Sequence, residues 1–200
     1  VIQCDSAESQ GTRFEDLVIQ NAVGGGFRCE GSSPTIFGCI FRMNNNSGEG
    51  GGLTLYGHSH IKDCLFEDNI AASAGGLYIA GGSEAIIERC IIRRNQISSG
   101  STSQVGGADI SGGVTVVDTK ICENQYREIS DLWIDGGGNE ITDLCGCIGD
   151  INYDNMVNGT DLGVLFALWG SSNPIGDLDQ DGEVRASDLG VLLIAWGPCQ

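Results

Sequence analysis

A period constrains this chain more than any other feature. Apolar residues return at near-constant intervals through the first 144 residues. One column reads Ile36, Ile61, Ile87, Val116 and Ile141, with steps of 25, 26, 29 and 25. Three residues on runs a column of Cys39, Cys64, Cys90, Thr119 and Leu144. Two further on are Phe41, Phe66, Ile92 and Ile121, and three beyond those stand Asn44, Asn69, Asn95 and Asn124, preceded by Asn21. A second strand pattern gives Ile2, Phe27, Leu53, Leu77, Ala108 and Leu132, with Cys4, Cys29, Leu55, Ile79, Ile110 and Ile134 beside it. Gly-Gly precedes that pattern at 25–26, 51–52, 75–76 and 106–107.

Apolar positions alternate at i, i+2 inside each turn, as they do in half-buried strands. Turns of equal length that stack like on like predict a coil of parallel strands, with rungs ~4.8 Å apart. The asparagine column supports this, because a buried amide needs partners and an identical amide one rung away supplies them. Glycine at 32 of 200 residues with only three prolines suits a turn-dense β architecture. The insert Ser98 to Val105 should be a loop. The pattern resembles the right-handed parallel β-helix. Pairs such as Gly51-Gly52-Leu53 and Phe66–Asn69 are similar to the repeats of polymorphic outer-membrane proteins.

Beyond residue 144 the pattern changes. Gly149 to Gly170 is followed by a copy of itself, Gly176 to Gly197, at an offset of 27. Each copy sets oxygen-bearing residues at positions 1, 3, 5 and 12 of a twelve-residue loop and then enters an apolar helix, the arrangement of an EF-hand calcium loop. In the first loop these are Asp150, Asn152, Asp154 and Asp161, with the backbone carbonyl of Met156 at position 7 and Asn158 at position 9. The second offers Asp177, Asp179, Asp181, the carbonyl of Glu183, and Asp188. Asn155 and Gly182 fit the sharp turn at position 6. Arg185 at position 9 cannot be a ligand, so two Ca2+ sites are expected, the second weaker.

Asp at position 12 departs from the usual Glu. Together with the tandem short loop-helix units it resembles the type I dockerin module, over residues 149 to 197. The resemblance implies a cohesin-like partner module on a scaffold protein, usually in polysaccharide-degrading assemblies. It implies partner contacts at Gly159, Thr160, Phe166 and Ala167, and at Ala186, Ser187, Leu193 and Ile194. Trp169 and Trp196, which end the two helices, are expected to pack into a core, with partner contact as the alternative.

The organisation expected is therefore mainly β: a parallel β-helix over 1–144, continuing upstream of Val1, a linker over 145–149, and a small α-helical calcium-binding module over 150–200. Cys39, Cys64 and Cys90 are expected as buried thiols. Cys145 or Cys147 pairing with Cys199 would clasp the module's ends.

The net charge, 10 − 27 = −17, argues against nucleic acid and against anionic membrane surfaces. No run approaches the ~20 apolar residues of a membrane span. Outward charges alternate along columns such as Arg42, Glu67, Arg93 and Asp63, Arg89, Asp118 and should pair between rungs. His58 and His60 are expected in a surface turn. No column of stacked acids and no run of exposed aromatics marks a carbohydrate-active centre, so no catalytic residue is expected in these turns. The function expected is a secreted calcium-binding β-helix protein whose module mediates docking or anchoring, linked to polysaccharide binding or breakdown. The alternatives are a polysaccharide lyase or glycoside hydrolase with its catalytic turns upstream, and a surface adhesin.

Overall fold

The alternating apolar positions form strands of two to five residues, most of which turn alternate side chains inward. The structure, a computed structural model, describes all residues except Ser6, Ala7, Gln10, Thr102, Asp143, Leu144, Gly146, Cys147, Tyr153, Asn155, Ser172, Pro174, Ile175, Gln180, Gly182 and Gln200. The chain divides into two compact units, Val1–Asp143 and Leu144–Gln200.

In the first unit every sheet is parallel, and non-consecutive strands neighbour one another, as a coil requires. The first sheet takes Ile2–Cys4, Phe27–Glu30, Leu53–Tyr56, Leu77–Ile79 and Ala108–Ile110. The second runs from Arg13–Glu15 to Ile134–Asp135, and the third from Val18–Gln20 to Glu140–Thr142, six strands each. A short fourth sheet is made of Asn45–Glu49, Ile70–Ser73 and Gln96–Ile97. Phe41 and Phe66 stack with centroids 4.7 Å apart and planes 2° from parallel.

The asparagine column forms a hydrogen-bonded ladder. Asn69 Oδ1 accepts from Asn44 N at 3.1 Å and from Asn44 Nδ2 at 3.0 Å. Asn95 Oδ1 does the same for Asn69, and Asn124 Oδ1 for Asn95. Each amide nitrogen also donates to a carbonyl of the rung before, Asn69 Nδ2 to Phe41 O at 2.9 Å. The residue that precedes the column is Ala22, whose N–H donates to Asn44 Oδ1, not the exposed Asn21. The residue before each asparagine (Met43, Asp68, Arg94, Glu123) has φ between 53° and 57°, a left-handed corner that turns the chain from the third sheet into the next segment.

The Gly-Gly pairs follow from close stacking. A Cβ on Gly52 would lie 2.7 Å from Gly76 O, and one on Gly76 2.7 Å from Gly107 O. Cys39, Cys64 and Cys90 are buried free thiols that donate to backbone carbonyls, Cys64 Sγ to Lys62 O at 3.2 Å. Hydrogen bonding to Cys64, reinforced by burial, pushes the Cys39 thiol far above its ordinary range. The outward charges pair between rungs as expected, Arg93 with Glu67 at 2.8 Å and Arg89 with Asp63 at 2.8 Å. Ser98 to Val105 is a loop among its described residues. His60 lies in a strand and bonds Glu88 at 2.8 Å, so only His58 occupies the turn expected for both.

The last turn departs from the period. Val116 pairs with Asp135 (135 − 116 = 19), and Ile121 pairs with Ile141 (141 − 121 = 20). Ile141 thus continues the phenylalanine column rather than that of Ile36. Ala108 bridges to Ile129, which leaves Leu132 exposed, and Ile134 is an exposed partner of Thr115. Asn139 takes the place expected for Leu144, which lies outside the described residues. Its Oδ1 accepts from Thr119 N at 3.0 Å and its Nδ2 donates to Val116 O at 2.8 Å.

Replacing the fully buried Asn69 with alanine strands the N–H groups of Asn44 that it accepts. Each orphaned buried donor costs ~1–3 kcal/mol. Asn69→Ala should therefore lower urea-unfolding stability by at least about 2 kcal/mol, whereas an exposed substitution outside the left-handed corners, such as Gln96→Ala, should change it little.

Candidate functional site

The acidic loops are built by one aspartate in each copy. Asp161 sits at the third position of helix α1 (Gly159–Ala167), and Asp188 at the same position of α2 (Ala186–Ile194). Both are fully buried. Asp161 Oδ1 accepts from Ile151 N at 2.8 Å and Asn152 N at 3.1 Å, and Oδ2 accepts from Asn158 N at 2.9 Å. Asp188 repeats this 27 residues on: Oδ1 takes Leu178 N at 2.6 Å and Asp179 N at 3.1 Å, and Oδ2 takes Arg185 N at 2.7 Å. Each carboxylate fastens the start of its loop to the helix that follows, where the helix dipole also favours negative charge. Burial pushes the Asp188 carboxyl up, but the amides of Arg185, Asp179 and Leu178 outweigh it and hold it below the usual range.

The rest of each loop winds inward on the same plan. Asp154 N donates to Asp150 Oδ1 at 3.1 Å, and Asp181 N to Asp177 Oδ1 at 3.0 Å. Met156 N and Glu183 N donate to Asp154 and Asp181. Oxygens of Asp150, Asp154 and Asp161 come within 4.8 Å of one another, as do those of Asp177, Asp179 and Asp188. Asn152 stands beside the first cluster, its Nδ2 donating to Asp154 Oδ2 at 2.9 Å. At an effective dielectric near 20, two such carboxylates repel by roughly 3 kcal/mol. Hard oxygen donors gathered this closely fit Ca2+ better than any soft metal.

The two loops differ at position 3, Asn152 against Asp179, and at position 9, Asn158 against Arg185. Arg185 Nη2 makes an ion pair with Asp181 Oδ2, and this pairing raises the Arg185 guanidinium. Asp181 is therefore absent from the second cluster, whereas its counterpart Asp154 belongs to the first. The spacing marked Arg185 only as a non-ligand; the structure pairs it with Asp181, an acid of the same loop.

α1 has a side-chain cap, Asn158 Oδ1 accepting from Thr160 N at 2.9 Å, while Arg185 offers α2 no acceptor. Leu165, Leu192, Val157, Val184 and Ile151 form the core of this unit. Val157 pairs with Gly197, and Val184 exchanges bonds with Gly170 and Ser171, each at 2.8 Å. Each loop is thus stitched to the helix end of the other copy. Trp169 and Trp196 are 43% and 49% exposed, which corrects their expected core role; shorter leucines and valines fill that space. Gly159, Thr160, Phe166, Ala167, Ala186, Ser187, Leu193 and Ile194 are all exposed, and Phe166 lies 5.7 Å from Trp169. Cys145 and Cys199 are disulfide-bonded, and so is Cys122 in the first unit. Cys147, Asn155 and Gly182 lie outside the described residues.

A sequence model of the right handed beta helix region matches residues 2–174. The chain belongs to that family. No curated protein and no solved structure matches this β-helix protein. Among the described residues no helix is long and apolar enough to cross a membrane.

Asp161→Ala removes the acceptor of three amides. It should speed hydrogen exchange at Ile151, Asn152 and Asn158 and destabilise the unit by at least about 2 kcal/mol. Asp161→Asn keeps one acceptor oxygen and should protect Ile151 and Asn152 but not Asn158.

Proposed function

We propose that residues 150–200 form a type I dockerin-like module that binds two calcium ions and docks the β-helix to a cohesin-like protein module outside the cell, in the service of polysaccharide binding or breakdown. The observation that carries this reading is the recurrence, 27 residues apart, of one carboxylate–amide network around converging acids. A lone acidic turn caps a helix; two in register, each drawing three carboxylates together, match a demand for hard cations.

Asp150, Asn152, Asp154 and Asp161 would hold the first ion, and Asp177, Asp179 and Asp188 the second. The ions supply positive charge that offsets the −7 of residues 149–200, eight acids against one base. Ordering both loops orients α1 and α2 and so presents Phe166, Trp169, Leu193, Ile194 and Trp196 to a partner. This apolar rim, formed twice, is the kind of surface that a protein module covers. Disulfide-bonded Cys122, Cys145 and Cys199 accord with an oxidising, calcium-rich exterior. The similarity to polymorphic outer-membrane repeats accords with the same location.

Calorimetric titration of the full chain with calcium should give about two sites, Asp150→Ala and Asp177→Ala each removing one; absence of binding heat overturns the reading. Arg185→Ala should release Asp181 and tighten the second site several-fold while leaving the first unchanged.

A further inference from the structure

Two buried thiols stand apart from the column of Cys39, Cys64 and Cys90. Cys4 ends the strand Ile2–Cys4 and pairs in register with Cys29 of Phe27–Glu30. Both are free thiols turned into the core, and they hydrogen-bond one another. Beyond Cys29 the column continues with Leu55, so among the described residues Cys29 meets a sulfur on one side only. Cys64, by contrast, bonds both Cys39 and Cys90.

The surroundings of the pair differ as well. Thiols of the longer column donate to backbone carbonyls, Cys39 to Phe14 O and Phe37 O, and Cys90 to Ile61 O and Glu88 O. Cys4 Sγ donates instead to a side chain, Glu8 Oε2 at 3.3 Å, which also accepts from Ser32 Oγ at 2.6 Å. A carbonyl held in a sheet cannot swing away from a thiol, whereas a side-chain carboxylate can. Cys4 also lines a surface depression with Gln3, Asp5, Arg28 and Glu30, a route by which a small reagent reaches its sulfur.

We propose that Cys4 and Cys29 form a redox latch, a disulfide that ties two consecutive rungs of the first sheet when the chain meets a disulfide oxidant. Partners across parallel strands lie ~4.8 Å apart, inside the ~4.4–6.8 Å that a disulfide spans between Cα atoms. Cys4–Cys29 is the last pair of its ladder, so a small shift of Cys4 leaves Ile2–Phe27 and Gln3–Arg28 in place. The chemistry is two successive exchanges. Cys4 loses its proton, and its thiolate attacks one sulfur of a low-molecular-weight disulfide and expels a thiolate, which takes up a proton. Cys29 then loses its proton, attacks the Cys4 sulfur of the mixed disulfide and expels the second thiolate, which is protonated in turn. Two protein thiols are oxidised and one external disulfide is reduced to two thiols. Burial raises both thiols, and the Glu8 carboxylate adds to the rise at Cys4. Little thiolate forms at neutral pH, so the latch closes slowly, and it stays open in reducing surroundings. The loop it closes is 29 − 4 = 25 residues long, and the unfolded chain loses the corresponding freedom.

This inference needs neither calcium nor a docking partner, so it stands or falls separately from the proposed function. The full chain, without calcium, is incubated with oxidised glutathione at about pH 8, alkylated in denaturant, digested and mapped by mass spectrometry. A Cys4–Cys29 cross-linked peptide should appear, while Cys39, Cys64 and Cys90 remain alkylated. The thermal midpoint should rise by at least about 5 °C and return when reductant is added. In Cys29→Ala, glutathione should stay on Cys4, because no second thiol expels it, and the midpoint should not rise. No cross-link in the unsubstituted chain, a cross-link within the Cys39–Cys64–Cys90 column instead, or an oxidised chain that melts no higher overturns the latch. The map of the unsubstituted chain decides the matter even if the variant fails to fold.

Discussion

Register in the first unit depends on a buried amide that must be satisfied. An asparagine side chain in a core is costly unless both its oxygen and its nitrogen are bonded. In this coil the acceptor belongs to the next rung and the donor reaches back to the one before. A slip of one residue would break every bond in the column at once. The apolar columns supply the driving force for stacking, and the ladder fixes which rung meets which. The left-handed corner before each asparagine and the glycine pairs that admit close backbone approach serve the same alignment.

A similar principle organises the second unit on a smaller scale. A buried carboxylate in the first turn of a helix collects amides from a loop that begins ten residues earlier. Geometry is set by Asp161 and Asp188, while the outer acids converge on what those two have fixed. One difference between the copies is the charge of Arg185, which draws Asp181 aside.

Much of this was legible in the chain. The columns of Ile36, Ile61 and Ile87, of Phe41 and Phe66, and of Asn44 through Asn124 fall in the rungs that their spacing indicates. The spacing failed in the last turn because two registers were equally apolar. Leu132 and Ile134 satisfy a 24-residue step, but a shorter turn lets Asn139 accept from Thr119 N and Ile141 meet Ile121. Asn21 misled for a related reason, since residue type matched where backbone register did not. The exposure of the tryptophans depends on which side of a helix end faces its neighbours, which a one-dimensional repeat does not encode.

The stitching of Val157 to Gly197 and of Val184 to Gly170 means that neither half of the second unit is complete alone. Each copy lends the other a strand edge, so a duplicated sequence becomes a single indivisible body. Clipping the chain before Gly197 would unfasten the first loop, some forty residues away in sequence, as surely as it shortens the second helix's exit. Order at the two ends of this unit is thereby shared between its halves.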